Sequence, residues 1–255
     1  MNLTDTHTHL YSEQFTDDRD EMIQRALKAG IKRFFVPAID STYTDSMFRL
    51  KAAYPGQVFL MAGLHPTHVK ENFEKELEHI EALLAQHRFY AIGETGIDLY
   101  WDRSTLPWQK KAFKYQIKLA VENQLPIVIH CRDAFDEVFE VLEEEKSDAL
   151  HGIFHCFTGT KEQALQAINY GMKLGIGGVV TFKNGGLDKF LATVDISHIV
   201  LETDAPYLAP VPFRGKRNES SYLVYILEKI AGIYGVSPEE IAEITTANSK
   251  AVFGV

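Results

Sequence analysis

The chain has 255 residues, a formal net charge of −9, and 16 Phe and 11 Tyr that supply ample apolar surface for a folded core. This composition excludes a disordered chain, and the acidic balance excludes a broad basic track for coating DNA. Two cysteines are too few for a disulfide framework, no apolar run is long enough to cross a bilayer, and the first ten residues lack a secretory signal, so we expect a cytoplasmic protein.

Short apolar runs alternate along the chain with longer amphipathic segments. The runs predicted as strands are 3–10, 33–39, 58–64, 89–93, 127–131, 152–157, 173–177 and 199–203. The segments predicted as helices are 17–29, 77–87, 106–123, 134–145, 161–170 and 222–234, followed by a last helix that Ser237 caps. Eight strands, each followed by a helix, in units of roughly 30 residues are typical of a (β/α)8 TIM barrel. We therefore predict one α/β domain over residues 1–255, a parallel eight-stranded barrel with an extra C-terminal helix, with a doubly wound open sheet as the alternative.

Metal-capable side chains stand at or near the predicted carboxyl ends of six strands. In chain order they are His7, His9, His65, Glu94, His130, His155 and Asp204. In a parallel barrel these strand ends share one rim, which is where barrel enzymes place their active sites. The spacing of two puts His7 and His9 on one strand face, where they can chelate one ion, although surface strands also carry such pairs. Imidazole nitrogens together with carboxylate oxygens suit Zn²⁺, Mn²⁺, Ni²⁺ or Fe²⁺.

Two of these histidines each end an apolar run. Taken singly, His130 and His155 are more typical of hydrogen-bonded core histidines, but together they indicate paired ligands that face inward. By the same alternation, Cys131 and Cys156 point to the opposite strand face. We therefore expect the two cysteines to pack under helices as small hydrophobes rather than to bind metal.

Three carboxylates belong to the same pattern. Glu94 lies between glycines at the end of a predicted buried strand, where a carboxylate is costly unless it is metal-bound or paired, for example with Arg132. Asp204 holds the equivalent position on the eighth strand. Glu202 lies on the same side one layer deeper, and we expect it to contact the second nitrogen of a ligand histidine.

Five segments carry most of these residues. They are 5–10, 93–98, 130–132, 155–159 and 202–208, with the sequences DTHTHL, GETGID, HCR, HCFTG and ETDAPYL. Together they resemble the signatures of the TatD family, metal-dependent deoxyribonucleases and related hydrolases of the amidohydrolase superfamily. The resemblance runs from residue 5 to about residue 250. Segment 214–219 also resembles the family's substrate loop, except that Ser220 stands where we expect Pro.

The resemblance implies a site for two divalent ions. It assigns His7, His9 and Asp204 to a first ion. It assigns His130 and His155 to a second ion, and Glu94 as the ligand that bridges both. The ions could be Zn, Mn, Ni, Co or Mg, although the histidines count against Mg²⁺. Two cations neutralise a phosphodiester and lower the pKa of a water held between them. Asp204 would accept the proton of that water as general base, so Asp204 and Glu94 are the predicted catalytic carboxylates.

Three further residues are predicted to bind substrate. His65 would donate a hydrogen bond to the scissile phosphate, or else cap the turn that follows it. The guanidinium of Arg132 matches phosphate geometry, and Arg214 is assigned the same role on the family resemblance. Tyr100 and Trp101 could stack on a base, or else pack on the next loop.

The leading hypothesis is a divalent-metal-dependent deoxyribonuclease that removes nucleotides from DNA ends. The alternative is a metal-dependent hydrolase of a small phosphoester, an amide or a modified nucleotide. A non-catalytic metal-binding scaffold is less favoured, because all six predicted ligands are present. The acidic balance predicts short, salt-sensitive contact with strand ends, and we expect neither a membrane nor an obligate protein partner.

Overall fold

The computed structural model describes residues 1–255. Its strands are β1 (Leu3–Asp5), β2 (Ile31–Val36), β3 (Val58–Leu60), β4 (Ile92–Asp98), β5 (Ile127–Arg132), β6 (Gly152–Phe154), β7 (Met172–Ile176) and β8 (Ile199–Leu201). Its α-helices are α1 (Arg19–Lys28), α2 (Thr44–Ala53), α3 (Phe73–Gln86), α4 (Leu106–Glu122), α5 (Phe135–Glu144), α6 (Lys161–Asn169), α7 (Leu223–Tyr234) and α8 (Pro238–Phe253). No helix combines the length and the apolar character that crossing a bilayer requires.

Every strand pairing is parallel. The strands form two sheets, in the orders β1-β2-β3 and β4-β5-β6-β7-β8. The two sheets touch at both margins, because Ala62 bridges Ile92 and the Thr6 N–H donates to the Leu201 carbonyl at 3.1 Å. Parallel neighbours need crossover connections, and α1 to α6 supply them between successive strands up to β7. The predicted α/β class with a parallel sheet is confirmed, and the arrangement is consistent with a TIM barrel.

A small apolar cluster packs on the strand face that also carries the candidate site. Its members are Phe35, Met61, Ala91, Val128, Ile153, Val200, Val252 and Phe253. Strand side chains alternate with a period of two, so Val128 on β5 shares a face with His130, two residues later. The ring of Phe253, at the end of α8, stacks on Phe35 with centroids 3.7 Å apart. The last helix therefore covers the amino-terminal end of this face, while the polar residues stand at the carboxyl end.

The fourth strand lies further along the chain than predicted. The sequence predicts it over 89–93, whereas β4 runs from Ile92 to Asp98. All seven residues of β4 are buried, although the strand contains two carboxylates and a threonine. An apolar run is therefore the wrong criterion here, because the two carboxylates of β4, Glu94 and Asp98, have partners inside the fold. Glu94 consequently lies within the strand rather than at its end.

The prediction that a helix follows every strand is wrong for β7. Four 3-10 helices follow it instead, at Gly178–Thr181, Leu187–Lys189, Leu191–Thr193 and Ile196–His198. Gly186 in this connection has φ +77°, a left-handed conformation that favours glycine and interrupts a regular helix. Helix α2 is a second difference, because no helix was predicted between 39 and 58.

Candidate metal centre

A cavity of about 690 Å³ opens where the carboxyl ends of the strands meet. Its walls include six of the seven residues predicted at the strand ends as metal-capable: His9, His65, Glu94, His130, His155 and Asp204. The seventh, His7, is fully buried against Glu94, with 3.0 Å between His7 Nε2 and Glu94 Oε2. One detail differs from the prediction. Because β1 ends at Asp5, His7 and His9 stand in the segment after the strand, where the chain is free to curve toward Glu94.

The first group of nitrogen and oxygen donors surrounds one oxygen of Glu94. His7 Nε2 and His9 Nε2 lie 3.0 and 3.6 Å from Glu94 Oε2. Asp204 Oδ1 completes the group at 3.5 Å from His9 Nε2. The two imidazole nitrogens are 3.3 Å apart. Two nitrogens bound tetrahedrally to one ion at about 2.0–2.1 Å are separated by about 3.3 Å, so this donor group fits a divalent cation.

The second group surrounds the other oxygen of Glu94. His130 Nδ1 lies 2.8 Å from Glu94 Oε1, and His155 Nε2 lies 3.7 Å from it. His65 Nε2 is also within reach, at 3.2 Å. Glu94 therefore presents a different carboxylate oxygen to each donor group.

The ring of His9 is oriented by Tyr11. The Tyr11 hydroxyl donates to the Pro37 carbonyl at 2.9 Å, so its oxygen is left to accept a hydrogen bond from His9 Nδ1 at 3.0 Å. A proton on Nδ1 leaves the Nε2 lone pair free to face Glu94 and bind a cation. Tyr11 is not among the predicted site residues, although its spacing of two from His9 continues the His7–His9 pattern.

The ring of His130 is held by Asp98, which is likewise absent from the predicted site residues. His130 Nε2 donates to Asp98 Oδ2 at 2.9 Å, so Nδ1 is the nitrogen that faces Glu94. Asp98 is itself fixed, because its backbone N–H and carbonyl bond the side-chain amide of Gln109 at 2.8 and 3.1 Å. The signal for Asp98 is its spacing of four from Glu94, which places both on one face of β4.

Glu202 makes the contact expected of it. Its Oε1 lies 2.9 Å from His155 Nδ1 and also accepts the backbone N–H of Cys156. Neighbouring β7 leaves room for this carboxylate, since a Cβ built on Gly175 would overlap Glu202 Oε2. Both cysteines line the cavity, although the sequence predicts that they point to the opposite strand face. Cys156 follows the end of β6 with φ +44°, so strand alternation no longer sets its direction. Cys131 also packs against the larger hydrophobic core, as expected of a small hydrophobe.

His65 caps the turn that follows it, the second of the two roles considered for it. Its Nδ1 accepts the Thr67 N–H at 3.2 Å, which caps the turn that follows. Burial lowers the pKa of His65 to about 4, so the ring is neutral at pH 7. A neutral ring that accepts through Nδ1 carries its proton on Nε2, and that N–H points toward Glu94 Oε1.

The two central carboxylates are ionised despite their burial. Burial favours the neutral acid, but the imidazoles of His65, His7 and His155 hold the pKa of Glu94 well below its usual range. Burial also acts to raise the pKa of Asp204, but the surrounding imidazoles outweigh it and the pKa is lowered. Burial lowers the pKa of His7, which keeps that ring neutral and able to coordinate.

His155 has the opposite shift. Burial disfavours its charged form, but the carboxylates of Glu202, Glu94 and Asp204 raise its pKa to about 10. A histidine must lose this proton before it can bind a metal, so a cation held by His155 would have to displace it.

Arg132 reaches the rim of the cavity, and Arg214 does not. The Arg132 guanidinium lies over the ring of Tyr100, 3.8 Å from its centroid, with Trp101 alongside at 5.8 Å. Arg214 instead lies over the ring of Phe182 at 4.5 Å and is not part of the cavity wall. The structure therefore does not bring Arg214 to the other predicted site residues.

The segment that contains Arg214 is anchored to α1 by ion pairs. Arg217 bonds both oxygens of Asp18 at 2.7 Å, and Arg25 bonds Glu219 at 2.6 Å. Two charges of this segment, Arg217 and Glu219, thus serve the fold. Ser220, which replaces the expected Pro, lies with its hydroxyl 3.2 Å from that of Thr8 and so joins the segment to the His7–His9 strand end.

The fold and the donor groups fit a metal-dependent hydrolase, and the relatives support an enzyme that acts on ester bonds. Relatives of the same length carry matching names. The "Uncharacterized metal-dependent hydrolase YabD" of Bacillus subtilis is 41% identical over 254 residues, which are 99% of each chain. The "3'-5' ssDNA/RNA exonuclease TatD" of Salmonella typhimurium is 36% identical over 98% of each chain.

Residues 4–254 match the family described as TatD related DNase, so the chain belongs to this family, as its motifs predict. The crystal structure of YJJV, a TatD homolog from Escherichia coli, has a TM-score of 0.92 to this fold at 27% sequence identity. The comparison covers 99% of this chain and 98% of that one.

Proposed function

We propose that this chain is a divalent-metal-dependent exonuclease that hydrolyses the phosphodiester bonds at the ends of DNA strands. The observation that carries the proposal is that the two carboxylate oxygens of Glu94 face different histidines. Its Oε2 faces His7 and His9, and its Oε1 faces His130 and His155. One carboxylate between two nitrogen groups favours a pair of cations over a single ion.

We infer that the two sheets close into one eight-stranded barrel within a single domain. The contacts that support closure are the bridge between Ala62 and Ile92 on one margin and the Thr6–Leu201 bond on the other. The Asp204 N–H also donates to the His7 carbonyl at 2.9 Å, so the segments that follow β8 and β1 are joined directly beneath the donor groups.

The proposed ligands follow the two donor groups. His7, His9 and Asp204 would hold one ion, His130 and His155 the other, and Glu94 would bridge them. Two such cations, when bound, neutralise the charge of a phosphodiester and make an attacking water more acidic.

Asp204 is the proposed general base. Its carboxylate is ionised, because the surrounding imidazoles lower its pKa, and it therefore has an oxygen that can accept the proton of the attacking water. Asp204 lies at the cavity wall rather than below it, so a water that approaches a bound phosphate meets this group. Its φ of +56° is a left-handed conformation of the kind that functional sites retain.

Two further residues would position the phosphate. His65 carries its proton on Nε2 and would donate it as a hydrogen bond to a phosphate oxygen that displaces its contact with Glu94. Arg132 stands at the rim and forms no ion pair within the chain, so its guanidinium edge is free for a neighbouring phosphate. Two divalent cations with this arginine would make the rim electropositive on a chain of net charge −9. That contrast favours short contact with a strand end over a long binding track.

Digestion of end-labelled oligonucleotides tests the proposal. Single- and double-stranded DNA, labelled at either the 3′ or the 5′ end, is incubated while Mn²⁺, Zn²⁺, Co²⁺, Ni²⁺ or Mg²⁺ is titrated. We expect metal-dependent release of mononucleotides, and expect it from the 3′ end because the Salmonella typhimurium relative is named a 3′–5′ exonuclease. Full activity after removal of all metal would overturn the proposal.

The acidic net charge of −9 favours a second candidate, a hydrolase of small phosphoesters or modified nucleotides. A substrate-length series separates the two functions. Rates that rise from mononucleotide esters to oligonucleotides support the exonuclease, whereas equal rates at all lengths support the small-molecule hydrolase.

A further inference from the structure

We propose that Trp101 is a stacking platform for the unpaired base at the end of the strand, with Arg132 bound to the adjoining phosphate. This inference rests on the proposed exonuclease function and specifies its substrate as a strand end whose last base is free. Nothing in the metal-site chemistry requires an aromatic side chain at this position, so its exposure calls for a separate explanation.

The first observation is an exposed aromatic pair at the mouth of the site. Trp101 is 68% exposed and Tyr100 is 55% exposed, and Trp101 lines the same cavity as Glu94 and His130. The two rings are perpendicular, with centroids 5.1 Å apart, so each supports the edge of the other. A large apolar surface kept in water beside a site is typical of a binding surface.

The second observation is that the backbone beneath these rings is fixed. Asp98 Oδ1 accepts the N–H groups of Tyr100 and Trp101 at 3.0 and 3.1 Å. Asp98 is almost completely buried, and its other oxygen accepts the hydrogen bond from His130. One carboxylate thus connects the aromatic turn to a proposed metal ligand. The platform is therefore held at a set position relative to the reacting phosphate, which lowers the cost of ordering a bound nucleotide.

The third observation is charge complementarity at the same wall. The Arg132 guanidinium is stacked on Tyr100, which leaves the N–H edge of its planar fork free to bond phosphate. A nucleotide presents an aromatic base and an anionic phosphate a short distance apart. Trp101 and Arg132 offer the matching pair of surfaces, one aromatic and one cationic.

A stacking platform selects unpaired bases without reading their identity. Every base has an aromatic face, whereas a base within a duplex already has both faces covered by its neighbours. We therefore expect tolerance of base sequence together with a preference for single-stranded ends. Loss of one base–aromatic stack corresponds to a decrease in affinity of roughly 5- to 150-fold.

Tryptophan fluorescence tests the stacking directly. Trp108→Phe leaves Trp101 as the sole tryptophan of the chain, which has two. The Mn²⁺-loaded full chain is titrated with a single-stranded oligonucleotide whose last linkages are phosphorothioates, which slow cleavage. We expect quenching by the normal oligonucleotide, and little quenching with at least fivefold weaker binding when the terminal nucleotide is abasic. Equal quenching and affinity for the two oligonucleotides would overturn the inference.

Variants locate the effect. Trp101→Ala should weaken binding of the normal oligonucleotide by at least fivefold and leave binding of the abasic one unchanged, whereas Trp101→Phe should restore most of the affinity. Tyr115→Ala removes an exposed aromatic from α4 and is the matched control, expected to have no effect. Tyr207 is a second exposed aromatic at the cavity wall. A loss of affinity in Tyr207→Ala but not in Trp101→Ala would overturn the assignment to Trp101.

The outcome also separates this inference from the proposed function. Digestion by Trp101→Ala at the wild-type rate, with unchanged affinity, overturns the stacking platform and leaves the exonuclease standing. A wild-type chain that neither binds nor digests oligonucleotides overturns both.

Discussion

The two ends of the strand face differ in chemistry, although the same strands build both. At the amino end, Phe35 and Phe253 stack in a dry cluster. Val128 of β5 belongs to this cluster. Two residues later on the same strand, at the carboxyl end, His130 faces Glu94 instead. Side chains two residues apart on a strand lie on the same face, one layer apart. The lower layer of this face therefore packs the core, and the upper layer carries the metal-capable residues. The comparison teaches that stability and catalysis should be separable by layer.

The largest expected effect is the loss of catalysis in Asp204→Asn. The amide keeps the shape of the side chain but cannot accept the proton of the attacking water, so we expect the hydrolysis rate to fall by about 10²- to 10⁴-fold. Steady-state digestion of labelled oligonucleotides measures it. The matched control is Asp148→Asn, an exposed carboxylate away from the cavity, which should keep the wild-type rate. Wild-type rates in Asp204→Asn would show that another group takes the proton.

Phe253→Ala should have the reverse profile. Removal of a buried aromatic ring leaves a cavity against Phe35, and we expect a loss of about 3–5 kcal/mol in the free energy of unfolding. Denaturant titration measures the loss, and Phe253→Leu should lose less because it fills more of the space. Under conditions where the variant remains folded, its digestion rate should equal that of the wild type. A rate that falls in parallel with stability would break the separation by layer.

Asp98→Asn should have an intermediate effect confined to the upper layer. The amide oxygen can still accept the Tyr100 and Trp101 N–H groups, but the charge that orients His130 is lost. We expect metal affinity to fall by about 10- to 100-fold, measured by calorimetry with Zn²⁺ or Mn²⁺. Unchanged affinity, with Asp148→Asn as the reference, would show that Asp98 serves the fold alone.

The smallest effect concerns the anchor of the segment after β8. Hydrogen bonds from Arg217, then from Arg25, lower the pKa of Asp18 to about 2. A carboxylate whose pKa is lowered in the folded state stabilises the fold above its unfolded pKa of about 3.9, and this contribution is lost as the pH falls toward 2. We therefore expect Asp18→Asn to reduce the pH dependence of the unfolding free energy between about pH 4 and 2. Identical acid limbs for the two proteins would contradict the ion-pair anchor.

The amino-acid sequence is most informative where function and structure share a signal. Histidines placed directly after apolar runs, such as His155 after β6, mark the carboxyl ends of strands by local pattern alone. The sequence is least informative at β4, whose polar residues conceal a buried strand, because their partners lie on distant segments such as His65 and Gln109. Buried polar residues whose partners lie far away in the sequence leave no local pattern.

The supporting residues illustrate the same limit. Tyr11 and Asp98 act through His9 and His130, and their spacing from His9 and Glu94 becomes informative only when the rings they orient are placed. Arg214 shows the converse, since a family motif assigned it to the substrate although its side chain lies over Phe182. Motifs identify donor atoms more reliably than they identify the direction in which a long side chain extends.

Gly175 shows that an absent side chain can be a requirement of the site. β7 supplies no donor to either group, yet its glycine leaves the volume in which the Glu202 carboxylate lies beside His155. A methyl group at this position would displace that carboxylate and, through it, the histidine. The site thus depends on free volume as well as on ligands, and position 175 must lack a side chain.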